Sequence, residues 1–227
     1  RARKLLDPLL AAKPFDTTYI AAMADTYAAA SDDAGLRDFY SAKLTAARAS
    51  RLPVDTLRRG LIPALTRLAE FAPATDQYIE LIKSYPDDEN LVNEAGGYAD
   101  AHQTRNRILA YFAKAEKDSP RDSRWPIITA RLTTWFEDYP AAIAAWSRAA
   151  AIRPDRPEIL TARAALEERL LRFDDAAQTY TKLYDLNYHN PAWMAKLAEV
   201  HARQAKYDLA EAELKKAYLD GRPDNPG

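Results

Sequence analysis

The sequence predicts an all-α chain, a solenoid of antiparallel helix pairs, and two observations carry that prediction. First, like side chains stand 34 residues apart: Ala142, Ala176 and Ala210; Trp146, Tyr180 and Leu214; Ala149, Leu183 and Ala217; Tyr139, Phe173 and Tyr207; Ala130, Ala164 and Ala198. Second, the punctuation keeps the same period, at Pro86, Pro120 and Pro154 and again at Pro157 and Pro191. Coincidence would hold one column in phase, not six. Each unit of a repeat like this buries its apolar face only against its neighbours, so the architecture follows from the period and points to binding.

The elements follow in order. Ala2, Leu6 and Leu9, ahead of Pro14, read as the second helix of a truncated pair over 1–14. Unit one spans about 17–50, and the period predicts extra residues in its turn, at Ser31-Asp32-Asp33-Ala34-Gly35. Unit two, 55–86, carries Ile62, Ala74, Tyr78 and Leu81 in the repeating columns, and Pro63 predicts a break or kink near Gly60 to Pro63. Unit three, 89–120, carries Gly96, Ile108, Phe112 and Ala115. Unit four spans 123–154 and unit five 157–188. In unit six, 191–222, Asn190-Pro191 opens the first helix, where the missing proline N–H is harmless. Ala205-Lys206 makes the turn. Ala210, Leu214, Ala217 and Tyr218 then recur in steps of three and four until Gly221 and Pro223 stop the helix.

Taken together, an apolar and a small residue on the first helix, then small, aromatic and small on the second, then proline, resemble the tetratricopeptide repeat. The resemblance covers essentially the whole chain and is strongest from Ser123 to Arg222. It implies a right-handed superhelix. The column where that family usually has leucine reads Thr129, Arg163 and Leu197, and Arg163 is expected to snorkel or to pair with Glu167 one turn on. Arg1 in place of Met, and Asn225-Pro226 where a further unit would open, read as an excised fragment of a longer chain. The lack of a targeting signal therefore carries no weight, and cytoplasm and periplasm both fit.

Composition excludes several functions. Hydrophobic residues make up 48% and charged residues 29%, which places the chain among ordered proteins. Net charge is -1, so a bulk electrostatic partner such as duplex DNA or an anionic membrane is disfavoured. No run is long enough to predict membrane insertion. With no cysteine, disulfides, thiolate metal sites and cysteine nucleophiles are all absent. His102, His189 and His201 share no helix at metal-ligand spacing, and His201 falls in a packed column as a satisfied core residue. There is no phosphate-cradling loop and no nucleophile elbow, and Gly96-Gly97 falls mid-helix. Asp32-Asp33 and Asp87-Asp88-Glu89 precede helices, where capping accounts for them. No catalytic residue, cofactor or metal is expected.

The resemblance also implies a concave groove lined by the first helix of each pair. Its inner positions here are Arg59, Thr66 and Arg67; Asn90, Asn93 and Asp100; Arg124, Ile127, Arg131, Thr134 and Trp135; Thr161, Glu168 and Arg169; and Glu199 and Arg203. Six are arginines and none is lysine, which suits bidentate pairing with carboxylates and stacking on rings. Arg124, Arg131, Trp135, Arg169, Arg203, Asn93, Arg59 and Arg67 are the candidate partner-binding residues. The ordinary alternative is that they are solvated helix charges answered by Glu168 and Glu199. The carboxylate clamp of chaperone-binding members is absent, since its positions read Ile127, Arg131, Ala162, Ala192 and Lys196.

The function expected is a non-catalytic scaffold that holds a peptide or protein partner in the groove. Two alternatives stand beside it. One is an accessory region of a larger secretion, polysaccharide-export or enzyme assembly. The other is a helical-repeat RNA-binding module, which Glu168, Glu199 and Asp100 oppose. Terminal pairs without a polar cap predict end-to-end self-association of the fragment.

Overall fold

The computed structural model describes residues 2–186 and 189–221. All thirteen elements among them are helices: α1 (Ala2–Ala12), α2 (Thr17–Ala29), α3 (Asp33–Ala49), α4 (Asp55–Arg67), α5 (Phe71–Ser84), α6 (Glu89–Ala101), α7 (Arg105–Asp118), α8 (Arg124–Trp135), α9 (Tyr139–Ile152), α10 (Pro157–Arg169), α11 (Phe173–Leu186), α12 (Pro191–Arg203) and α13 (Tyr207–Asp220). The expected ends of units five and six at Tyr188 and Arg222, the stop at Pro223 and the reopening at Asn225-Pro226 lie outside the described residues.

Local chemistry sets where these helices start. Asp16, Asp32, Asp88, Asp138 and Asn190 each accept a backbone N–H from the first turn of the helix they precede. That satisfies donors that have no partner inside the helix. Pro140, Pro157 and Pro191 occupy first-turn positions, where no N–H is missed.

The turns inside the pairs carry the period most plainly. Ala69, Gln103, Glu137, Leu171 and Ala205, spaced 34 apart, all have φ near +58°. None is glycine. At each, the next residue donates its N–H to a carbonyl five residues back, as Glu70 does to Leu65 and Asp138 to Thr133, both at 2.9 Å. This is the Schellman closure of a helix end. It places an L-residue in the left-handed region at a cost of about 1 kcal/mol. At Leu171, 71% exposed with φ of +57°, the side chain offsets none of that cost. Leu171→Gly is expected to raise stability by about 0.5–1 kcal/mol, and Leu171→Val to lower it. A fall in melting temperature for the glycine variant would show that the turn carries no such strain.

By contact the chain divides into two compact units, Arg1–Ile108 and Leu109–Gly227. In the first, successive helices α1 to α5 pack in order around Leu10, Ile20, Met23, Leu44, Leu57, Leu61 and Leu65. Ile79, Ile82, Leu91 and Val92 continue the core between α5 and α6. In the second, α8 to α13 also pack in sequence order. Trp146 and Ile159 fill the space between α9 and α10, and Tyr180, Leu183 and Met194 that between α11 and α12. Ala130, Ala142, Ala164 and Ala176 are fully buried, so small side chains sit where helices meet. In α13 the equivalent of Trp146 and Tyr180 is Leu214, which is 53% exposed.

Two expectations are corrected, the first of them as to a break: α4 is one continuous helix through Pro63. Pro63 and Arg59 both lie on the exposed side of the helix, so the Arg59 carbonyl left without its donor faces solvent. Unit one does not lengthen its turn. Ser31 (φ +51°) closes α2 as the other turns close theirs, and Asp32 caps α3 through the Gly35 N–H at 2.9 Å. The extra residues extend α3 to 17, against 14 in α5, α7, α9, α11 and α13. Gly35 belongs there because a Cβ would lie 2.7 Å from the Tyr27 ring.

Candidate partner-binding surface

Arg59, Arg67 and Asn93 fall in the first unit. Arg59 and Arg67 lie on α4, and their charges are answered within the chain. Arg59 reaches Glu94 of α6 at 3.5 Å, and Arg67 reaches Asp33 at the start of α3 at 2.5 Å. Glu94 also accepts the Tyr78 hydroxyl at 2.9 Å. Burial first, and then that carboxylate, push the Tyr78 phenol well above its ordinary range. Asn93 is half-buried on α6. A band of rings crosses this unit: Tyr78 lies against Tyr98 (5.1 Å between centroids), Tyr98 against His102 (4.4 Å), and His102 stacks on Phe71 (4.2 Å). Of these, Tyr78 is singled out by the period, and Phe71 stands two periods before Tyr139 in its aromatic column.

Arg124, Arg131, Trp135, Arg169 and Arg203 fall in the second unit. Trp135, Arg169 and Arg203 occupy one column on the successive first helices α8, α10 and α12. Their environments differ. Arg203 donates to Glu168 at 2.9 Å and to Glu199 at 3.3 Å, and Lys196 also binds Glu199, at 2.8 Å. Glu168 in turn accepts the Tyr180 hydroxyl at 2.6 Å, so its oxygens are shared by α11 and α12. Arg124 is tied to Asp122 in a bidentate pair, and its guanidinium lies 5.3 Å from the Trp125 ring. Hydrogen bonds from Arg124 hold the Asp122 carboxyl below the usual carboxylate range. Arg131 is half-buried.

Arg169 is different. Its guanidinium lies over the Tyr139 ring at 4.5 Å, with no carboxylate within ion-pair distance among the described residues. Trp135 stands on the preceding first helix and is 47% exposed. The surface therefore offers a positioned cation and a large ring in one column. Tyr139, which presents that cation, was legible in the sequence only as a repeating aromatic of the second helix.

Two further pairs tie helices or turns together within the second unit. His201 Nδ1 lies 2.8 and 2.9 Å from the two oxygens of Glu213, between α12 and α13. Arg163 donates to Glu167 at 2.7 Å, as the i,i+4 spacing suggested. No group of three or more histidine, aspartate and glutamate side chains among the described residues is placed to hold a metal. Among those residues no helix is long and apolar enough to cross a membrane.

No family model matches the chain, and no curated protein matches its sequence. Among solved structures it is similar to crystal structures of MamA. One is 16% identical, covering 73% of this chain and 91% of that one, with a TM-score of 0.47. Another, MamA from Desulfovibrio magneticus RS-1, is 14% identical, covering 75% of this chain and 97% of that one, with a TM-score of 0.45.

Proposed function

We propose that this chain is a non-catalytic interaction scaffold of the tetratricopeptide type. In this reading the first-helix face of its second unit grips an acidic segment of a protein partner. The observation that carries it is the Trp135–Arg169 column. Trp135 is a half-exposed ring, and Arg169 is a guanidinium placed over the Tyr139 ring with no carboxylate at ion-pair distance among the described residues. Tryptophan and arginine dominate binding hot spots. An arginine already immobilised by stacking loses less entropy on binding. An RNA-binding reading is weaker, because Glu94, Asp33, Glu168 and Glu199 already neutralise Arg59, Arg67 and Arg203, and Asp122 neutralises Arg124.

A selection from a displayed peptide library, followed by titration of the selected peptide, tests this. Acidic sequences with an aromatic or aliphatic anchor are expected. Trp135→Ala and Arg169→Ala should each weaken the selected peptide about 10- to 30-fold, the scale of a hot-spot truncation. Arg203→Ala should change affinity far less, since its charge is already answered within the chain. Unchanged affinity in both of the first two variants would refute the assignment of this face.

A further inference from the structure

The 34-residue register allows one repeat to report on another, and one comparison exposes a gap. In the last described pairs, Tyr184 of α11 is 4% exposed between α11, α12 and α13. Its hydroxyl donates to Asp220 at 2.5 Å, and the Lys216 ammonium lies 4.3 Å from the centre of its ring. Burial and the Asp220 carboxylate push this phenol up to about 12. One repeat earlier, the residue in the Tyr184 position is Ala150. Lys182 stands where Lys216 stands, and Leu160 where Met194 stands. The ring is missing, and its lysine remains.

The space has not closed. A cleft of about 530 Å³ opens between α9, α10 and α11, lined by Ala150, Leu160, Leu186 and Arg163 together with Lys182 and Asp185. The apolar wall gives a ring a dry seat, and the ammonium gives its face a cation. Lys182 has no carboxylate partner among the described residues. Arg163 is held to Glu167 and so forms wall, not a free charge. The cleft is lined by none of the residues of the Trp135–Arg169 column.

We propose that this cleft is a second docking site, which takes the aromatic side chain of a tyrosine or phenylalanine from a partner peptide under Lys182. The chain's own Tyr184 is the template. Its ring occupies the equivalent space, so the ring and its cation are on display one repeat away; Leu186 stands where Asp220 accepts the Tyr184 hydroxyl, so the template is for the ring and not for the hydroxyl. The site is independent of the acidic-peptide reading above and can stand or fall without it.

The probes are p-cresol, the capped peptide acetyl-Gly-Tyr-Gly-amide, and 4-methylcyclohexanol as a non-aromatic control. Each is titrated into the whole chain and followed by backbone amide shifts. Saturable shifts at Ala150, Leu160 and Leu186 are expected for p-cresol and for the peptide. The cyclohexyl control should bind about threefold more weakly, and Lys182→Met should remove that difference. Ala150→Tyr should supply the ring in cis, abolish binding of every probe and raise the melting temperature by about 2–4 °C. No saturable shifts at these three amides in the unsubstituted chain would overturn the proposal without reference to any variant. Equal binding of the cyclohexyl control would reduce the cleft to a greasy hole and overturn it as a ring site. Binding of p-cresol without the peptide would make a free small aromatic the occupant and overturn docking. An Ala150→Tyr chain that folds but melts lower than the parent would show that the space is not ring-shaped.

Discussion

Replacing Arg163 with methionine is expected to destabilise the second unit by about 3–5 kcal/mol, more than any surface substitution in the molecule. The reason lies in its partner. Glu167 is fully buried, and its two oxygens are met by Arg163 Nε at 2.7 Å and by the Thr179 hydroxyl at 2.8 Å. Methionine keeps most of the apolar stem but leaves a carboxylate in the interior with one hydroxyl for company. Desolvation of an unpaired charge is among the few effects that reach this size. The neighbouring pairs show how to remove the cost. At the same two positions unit four has Thr129 and Thr133, and unit six has Leu197 and His201. Arg163→Leu combined with Glu167→Thr should therefore recover stability to within about 1 kcal/mol of the parent. Urea unfolding, followed by the fluorescence of the four tryptophans, all of which lie in the second unit, measures both chains. A single-variant loss below about 1 kcal/mol would mean that Glu167 does not depend on Arg163.

Arg58→Met should move stability the other way, by about 1–2 kcal/mol in favour of the folded state. Arg58 is 4% exposed and reaches Gln77 at 2.8 Å and Glu80 at 3.0 Å. Its Nε is buried without a hydrogen-bond partner. Burial holds the guanidinium below its ordinary basicity, with Arg48 adding to the effect. The other repeats place Val92, Pro126, Leu160 and Met194 in this position, so an apolar side chain fits the space. The sign differs from that at Arg163 because nothing is stranded. Glu80 is about one-third exposed and keeps Lys83 at 2.7 Å. Thermal unfolding of the two chains side by side decides it, and a clear drop in melting temperature for Arg58→Met would show that the buried pair is net stabilising here.

The contrast between these arginines shows what the sequence made legible. Period and punctuation placed the helix pairs, the turn at Ala205-Lys206 and the alanines where helices meet, because those features depend on neighbours in the chain and on side-chain size. Arg163 and Glu167 were readable as a pair because they stand one helical turn apart. Arg58 was not singled out, since its partners Gln77 and Glu80 belong to the next helix. The same limit governs the candidate site. Arginines and glutamates were visible on the first helices, but Arg59 with Glu94 and Arg203 with Glu168 pair across 35 positions. Only packing told these apart from Arg169, which sits over Tyr139. Pro63 misled for a related reason: a proline breaks a helix where its orphaned carbonyl would be buried, and exposure is a tertiary property. The cleft beside Ala150 is an absence in a column, which acquires meaning only when Tyr184 is seen filling its counterpart.

The left-handed turns have a practical consequence. Ala69, Gln103, Glu137, Leu171 and Ala205 share one backbone geometry and are all exposed, yet they carry four different side chains. The flanking helices therefore dictate the conformation, and the side chain is nearly free to vary. The chain has no cysteine of its own. A single cysteine introduced at any of these positions would be the sole thiol, presented identically each time. Dyes, spin labels or surface linkers attached there would report position along the chain, undistorted by differences in local attachment.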